Sequence, residues 1–316
     1  MVQGLNKSDS EGNGIEEKFF YSYDGTRIAY HVIGQGPPLM LANGLGGTYL
    51  AWRHLYTYFK DRCRIISWDY RGLYHSSPPD NLEHLRMEDH LKDALGLCET
   101  EGIKGAVWAG WSMGVQLNLE LYRHAPELFR AMICINGTFG RAFDTAFDWA
   151  GSGILLPAGA DLAARLALPL SIAGRTAVKW GGFIRVMKKL GLVGSTLDES
   201  IFRDLTREFA SLDVKNYMAI FKTLGDHDAK DVLPTIDVPV LIIAGERDPF
   251  TPKKVAEKMK RKIPDAQLSI VPGGTHYVPV EYPELVNLRI EKFFRDKSLF
   301  DGKKKGKKTK KHPPEN

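Results

Sequence analysis

Short, unbroken apolar runs alternate with amphipathic stretches along this chain. That alternation restricts the fold more than any other feature. Pro38–Ala42 (PLMLA), Arg64–Trp68 (RIISW) and residues 106–109 (AVWA), 131–135 (AMICI) and 240–244 (VLIIA) are such runs. Residues 267–271 (QLSIV) are a weaker copy. A strand without a polar face is one covered on both faces. Between the runs lie helical patterns. Residues 85–100 put Leu91, Ala94, Leu95 and Cys98 on one face, and 284–296 put Val286, Ile290, Phe293 and Phe294 on one stripe. Residues 251–263 read as a helix with Thr251 as N-cap and Pro252 at its first position. Ahead of all these, residues 17–23 and Arg27–Ile33 flank Asp24-Gly25 and read as a β-hairpin. Strands alternating with helices predict a mostly parallel sheet, with helices on both faces and right-handed crossovers.

The 316 residues are long enough to bury a large α/β core, and 43% hydrophobic content excludes a disordered chain. The alternation lapses over residues 141–231, where no strand pattern is found. The expected organisation is therefore a disordered segment at 1–15, a core of 16–140 and 232–297, a helical insertion at 141–231 and a disordered Lys-rich tail at 298–316. Cys63, Cys98 and Cys134 are odd in number and match no metal-binding spacing, so a reduced, cytoplasmic chain is expected and no metal is assigned. The polar N-terminus has no apolar signal region. The most apolar stretch, 151–174, holds Asp161, Arg165, Pro157 and Pro169, which argues against a membrane span.

The chemistry concentrates at the ends of the apolar runs. Gly110-Trp111-Ser112-Met113-Gly114 follows one run and precedes a helical stretch, which is the context in which a G-x-S-x-G serine is thrust above the sheet edge. Such a serine needs a base, and the base needs an orienting carboxylate. Asp248 lies just past the run at 240–244, and His276 just past the run at 267–271. In a parallel sheet these strand ends share one edge, so Ser112, Asp248 and His276 are expected to converge. Asn43-Gly44-Leu45-Gly46-Gly47 follows the run at 38–42. Its Leu45 N–H, with that of Met113, could hold an oxyanion beside Ser112. The same glycines followed by Asp69 also mimic a dinucleotide-binding fingerprint, but its third glycine is missing, and no cofactor is assigned.

With these residues in view, the chain resembles the α/β-hydrolase family over roughly residues 17–296. The resemblance rests on NGLGG at 43–47, WDYRG at 68–72 with Ser76, GWSMG at 110–114, GERDPFTP at 245–252 and GGTH at 273–276. It implies the α/β-hydrolase fold with a cap at 141–231. It also implies Ser112 as nucleophile, His276 as base, Asp248 as acid, and Leu45 and Met113 as oxyanion donors. The chain departs from the family in carrying Asn43 where a His usually precedes the oxyanion-loop glycine. A serine nucleophile argues against dehalogenase or epoxide hydrolase chemistry and for acyl transfer.

The expected activity is a serine esterase or lipase acting on a small, apolar ester. Carbon–carbon bond hydrolysis, amide hydrolysis and acyl transfer use the same groups and stay open, as does a non-catalytic binding module. Apolar residues at 154–172 and 180–192 suit an apolar acyl group, or simply pack on the core. Residues 301–316 carry seven Lys against Asp301 and Glu315, which accounts for the whole +5 net charge. That tail either draws the protein to an anionic membrane surface or only keeps it in solution. Nucleic acid is not expected, because no aromatics are interleaved with the Lys residues.

Overall fold

The computed structural model describes residues 14–146, 152–166, 173, 176 and 182–300. Eight strands form one sheet: β1 Ile15–Tyr21, β2 Arg27–Ile33, β3 Pro38–Ala42, β4 Arg64–Trp68, β5 Ala106–Trp111, β6 Phe129–Ile135, β7 Val240–Gly245 and β8 Ala266–Val271. Their spatial order is β1-β2-β4-β3-β5-β6-β7-β8. The β1–β2 and β2–β4 pairs are antiparallel, and all others are parallel. The apolar runs therefore sit where a parallel sheet needs them. Every residue of β5 and β7 is buried, whereas the middle of β8 is only half-buried. β8 is an edge strand, which explains its weaker apolar pattern.

Helices cover both faces. α1 is Arg53–Phe59, α2 Met87–Glu101 and α3 Met113–His124. Between β6 and β7 the described residues form helices and no strand: α4 Ala142–Thr145, α5 Ser152–Arg165, α6 Phe183–Lys189, α7 Glu199–Phe209 and α8 Val214–Asp226. The chain closes with α9 Lys253–Lys262, α10 Val278–Glu281 and α11 Pro283–Asp296. Leu91 of α2, Leu117 of α3 and Met259 of α9 pack into the core on one face of the sheet. Leu55 and Phe59 of α1 and Ile290 and Phe293 of α11 pack on the other.

Three elements start elsewhere than expected. The hairpin begins at Ile15, two residues early, because Ile15 pairs with Ile33 and is buried. The helix expected over 85–100 begins at Met87, two residues late, while α1 is preceded by a 3-10 turn, Tyr49–Trp52. Thr251 does not cap a helix, and α9 starts at Lys253. The Thr251 hydroxyl is instead turned to Asp248, to which both its O–H and its N–H donate.

Residues 1–13, 147–151, 167–172, 174–175, 177–181 and 301–316 lie outside the described residues, with every expectation placed on them. Among the described residues, no helix is long and apolar enough to cross a membrane.

A buried ion cluster fastens the loop after β4. Arg71, from the WDYRG motif, has a fully buried side chain, as does Asp93 of α2 at 1% exposure. Its Nε and Nη2 donate to Asp93 at 2.8 and 2.6 Å, and its Nη1 donates to Asp24 at 2.8 Å and to the His84 carbonyl at 3.0 Å. Removing one partner of such a cluster leaves an uncompensated buried charge, which typically costs about 3–5 kcal/mol. Arg71→Leu is expected to lower unfolding free energy by that order in urea denaturation. A loss below about 1 kcal/mol would show that the cluster is not a determinant of stability.

Candidate active site

The parallel strands deliver their next residues to one edge of the sheet, and the candidate residues all stand there. Asn43 follows β3, Ser112 follows β5, Asn136 follows β6, Asp248 lies three residues past β7, and His276 lies five past β8.

Ser112 occupies a sharp turn between β5 and α3, with φ 56° and ψ −116°. A non-glycine residue there is strained, and the strain persists only where the surroundings enforce it. Two glycines make the turn feasible. A Cβ at Gly114 would lie 2.1 Å from the Ala42 carbonyl oxygen, and one at Gly110 would lie 2.5 Å from the Gly114 carbonyl. Met113 is the first residue of α3, where a backbone N–H has no acceptor within the helix.

His276 is 8% exposed, and its Nδ1 lies 2.7 Å from Asp248 Oδ2. Trp111, beside Ser112 in the same motif, donates its indole N–H to the His276 carbonyl at 2.9 Å. Phe250 packs edge-on against the imidazole, with ring centroids 5.1 Å apart. Gly245 lets the two loops meet, since a Cβ there would sit 2.3 Å from the Thr275 carbonyl oxygen.

Asp248 is buried, and burial by itself pushes its pKa up. The His276 charge and hydrogen bond, with the Thr251 donors, outweigh that and hold it below the usual value near 3.8. Phe250 and Thr251 N–H groups donate to Oδ1 at 2.8 and 3.0 Å, and the Thr251 hydroxyl donates to Oδ2 at 2.6 Å.

Two residues that the sequence reading passed over complete this arrangement. Asn136, with φ 45°, donates from Nδ2 to Asp248 Oδ2 and to the Thr275 carbonyl, both at 2.7 Å, while its Oδ1 accepts from Gly245 N–H at 3.2 Å. One side chain thus joins Asp248, the loop that bears it and the loop of His276. Its signal was available: an Asn just past a buried apolar strand. Glu281 of α10 accepts from Thr275 N–H at 2.8 Å, from the Thr275 hydroxyl at 2.5 Å and from Gly194 N–H at 2.5 Å. No motif marked it.

Asn43 is fully buried and satisfied. Its Nδ2 donates to the Trp68 carbonyl at 2.8 Å, and its Oδ1 accepts from Trp52 Nε1 at 2.7 Å and from the Ser67 hydroxyl at 3.2 Å. Its own carbonyl accepts from the Tyr70 hydroxyl at 2.6 Å. The loop that follows, with Leu45, is thereby tied to β4 and the 3-10 turn. A Cβ at Gly46 would meet the Phe209 ring at 2.8 Å and Tyr217 at 3.1 Å. The space beside Gly46 is filled by these two rings.

Ser112, His276, Leu45 and Met113 share the wall of one cavity of about 260 Å³. The rest of the wall is mostly apolar, with Phe143, Leu156, Phe221 and Leu224 prominent, and Gln116 and Thr138 as polar points. A larger open groove of about 1040 Å³, bordered by Arg86, Glu88, Arg165 and Asp226, contains none of the four.

A family model described as the α/β hydrolase fold matches residues 37–283. The chain belongs to the α/β hydrolase family. Within that family it is similar to 3-oxoadipate enol-lactonase 2 of Acinetobacter baylyi, at 28% identity over 268 residues, covering 84% of this chain and 91% of that one. It is also similar to the pimeloyl-[acyl-carrier protein] methyl ester esterase of Vibrio atlanticus, at 25% identity over 255 residues, covering 79% and 91%. Among solved structures, a thermophilic esterase from Thermogutta terrifontis shares the fold with a TM-score of 0.70 at 22% identity, covering 89% of this chain and 99% of that one.

Asn136→Ala is expected to cost about 1–3 kcal/mol at neutral pH, because a buried carboxylate loses a donor. Asp248 has a depressed pKa, so its contribution is present above about 3.8 and is lost as pH falls through the lower folded value. The gap between variant and parent melting curves should therefore narrow on acidification below that range, leaving the part owed to the Thr275 and Gly245 bonds. A deficit that stays constant down to acid pH would place the effect elsewhere.

Proposed function

We propose that this α/β hydrolase is a serine esterase that cleaves small, uncharged carboxylic esters through an acyl-enzyme intermediate. The observation that carries this reading is the 2.7 Å Asp248–His276 contact, set in the same cavity wall as a serine on a strained turn. Ser112 Oγ attacks the ester carbonyl, and His276 Nε2 takes its proton. Asp248 accepts from Nδ1, which fixes the tautomer and stabilises the imidazolium that forms. The tetrahedral oxyanion is held by the Leu45 and Met113 N–H groups, and each such donor is typically worth about 3–4 kcal/mol in the transition state. His276 returns the proton to the leaving alcohol. Water, activated by the same imidazole, then releases the acid.

Substrate choice follows from the wall. Ala142, Phe143 and Leu156 from the segment after β6, with Tyr217, Phe221 and Leu224 of α8, close over the serine, and this segment acts as the cap. No Lys or Arg lines the cavity among the described residues. An uncharged acyl group fits such a wall. A volume of about 260 Å³ is small for a ligand site and suits a short chain or a single ring. The enol-lactonase and methyl ester esterase relatives are named for acyl–oxygen bonds, in keeping with this reading.

Ser112→Ala is expected to abolish hydrolysis of p-nitrophenyl esters and labelling by a fluorophosphonate, while leaving the circular dichroism spectrum unchanged. Retained turnover would refute Ser112 as the nucleophile. Across p-nitrophenyl esters graded by chain length, kcat/KM should peak at short chains and fall steeply for long ones. A profile rising towards long chains would overturn the assignment of the acyl site to this cavity.

A further inference from the structure

Away from the cavity, the outer strands carry a cluster that the esterase reading does not use. Glu17 of β1 stands directly opposite His31 of β2 in the antiparallel register. Glu17 Oε2 lies 4.0 Å from His31 Nε2, and Glu17 Oε1 lies 3.2 Å from Nδ1 of His75, which sits in the loop after β4. One donor atom from each of the three residues falls within 4.8 Å of the others. Zinc holds nitrogen and oxygen ligands at about 2.0–2.2 Å, which sets tetrahedral donors roughly 3.4 Å apart.

A surface ion pair would account for Glu17 and His75, whose side chains are 35% and 60% exposed. It does not account for His31. That imidazole is 3% exposed, is stacked on Tyr49 with centroids 4.0 Å apart, and turns its Nε2 edge to Glu17. Two buried carboxyl oxygens around the cluster lack donors, Asp69 Oδ1 and Glu208 Oε2. Asp69 is bound to the cluster through Oδ2, which accepts from His75 N–H at 3.2 Å. Glu17 and Glu208 both act on Asp69 electrostatically, and His75 and Arg53 act on Glu208. Arg53 is itself paired with Asp204 at 3.3 Å. The region therefore gathers carboxyl groups around a rigid, buried imidazole whose Nε2 faces Glu17.

We propose that Glu17, His31 and His75 bind a divalent metal ion of the zinc type. Two imidazoles and one carboxylate form a borderline nitrogen–oxygen set, which suits zinc and its neighbours rather than calcium or magnesium. Three protein ligands leave a fourth position for water. The ion would clamp β1 and β2 to the loop after β4. The residue before His75 is Tyr74, whose hydroxyl donates to the Gly46 carbonyl at 2.6 Å. The clamp is thus one residue from the contact that steadies the loop of Leu45, and its role is to brace that loop. It does not enter the bond-breaking step.

The test uses the full, untagged chain, stripped with a chelator. Zn²⁺ is titrated by calorimetry, Co²⁺ by its visible absorption, and melting is followed with and without Zn²⁺. One ion per chain and a Zn²⁺-dependent rise in melting temperature are expected. Glu17→Gln and His75→Ala alter side chains that reach solvent, so both should fold, and each should weaken binding by on the order of tenfold or more. Either of two results overturns the site: no binding at millimolar free Zn²⁺, or the same affinity and melting shift in parent and both variants. Labelling of Ser112 by a fluorophosphonate in each variant reports the esterase reading separately.

Discussion

Ser112 sits in a backbone conformation that non-glycine residues avoid, and much of the structure around it serves to hold it there. The cost of such a residue is on the order of 1–3 kcal/mol. It is opposed by hydrogen bonds from both sides: Ser112 N–H donates to the Ile135 carbonyl, and Val115 N–H donates to the Ser112 carbonyl, each at 3.0 Å. It also requires β3, β5 and α3 to pack with backbone against backbone. Gly114 against Ala42 and Gly110 against Gly114 leave no space for a methyl group. The central strands must then be buried on both faces, which returns to the apolar runs from which the fold was first legible.

The sheet was legible because burial on both faces writes an unbroken apolar run, and five strands did so, with β8 at the edge a weaker sixth. Their ends fixed the positions of Ser112, Asp248 and His276 without any knowledge of contacts. The helix starts were less legible. Thr251 looks like a cap by composition, but its hydroxyl is held by a residue three positions earlier. Such competition between a local rule and a tertiary partner has no local signature. Asn136 and Glu281 were missed for a related reason. The bonds of Asn136 to Asp248 and Thr275 span 112 and 139 residues, and Glu281 reaches Gly194 across 87, while its two bonds to Thr275, six residues away, belong to no motif. His31 and Glu17 are paired only by strand register, and His75 joins them from 44 residues further on.

Asn43 shows how a departure from a family pattern can be absorbed. The position needs a buried group that donates to the end of β4 and accepts from the 3-10 turn. An amide does both at once, through Nδ2 to Trp68 and through Oδ1 from Trp52 and Ser67. The oxyanion donors proposed here are main-chain groups, so their presentation depends on this anchoring rather than on which side chain supplies it.

Glu281 binds the loop of His276 through Thr275 and, with the same carboxylate, Gly194 in the helical segment after β6. The segment over the cavity and the loop of His276 are therefore not mechanically independent. Any rearrangement that withdraws Gly194 leaves a buried carboxylate one donor short, and the penalty falls on the residue next to His276. Opening above the cavity and alignment below it are balanced against each other through a single shared anion.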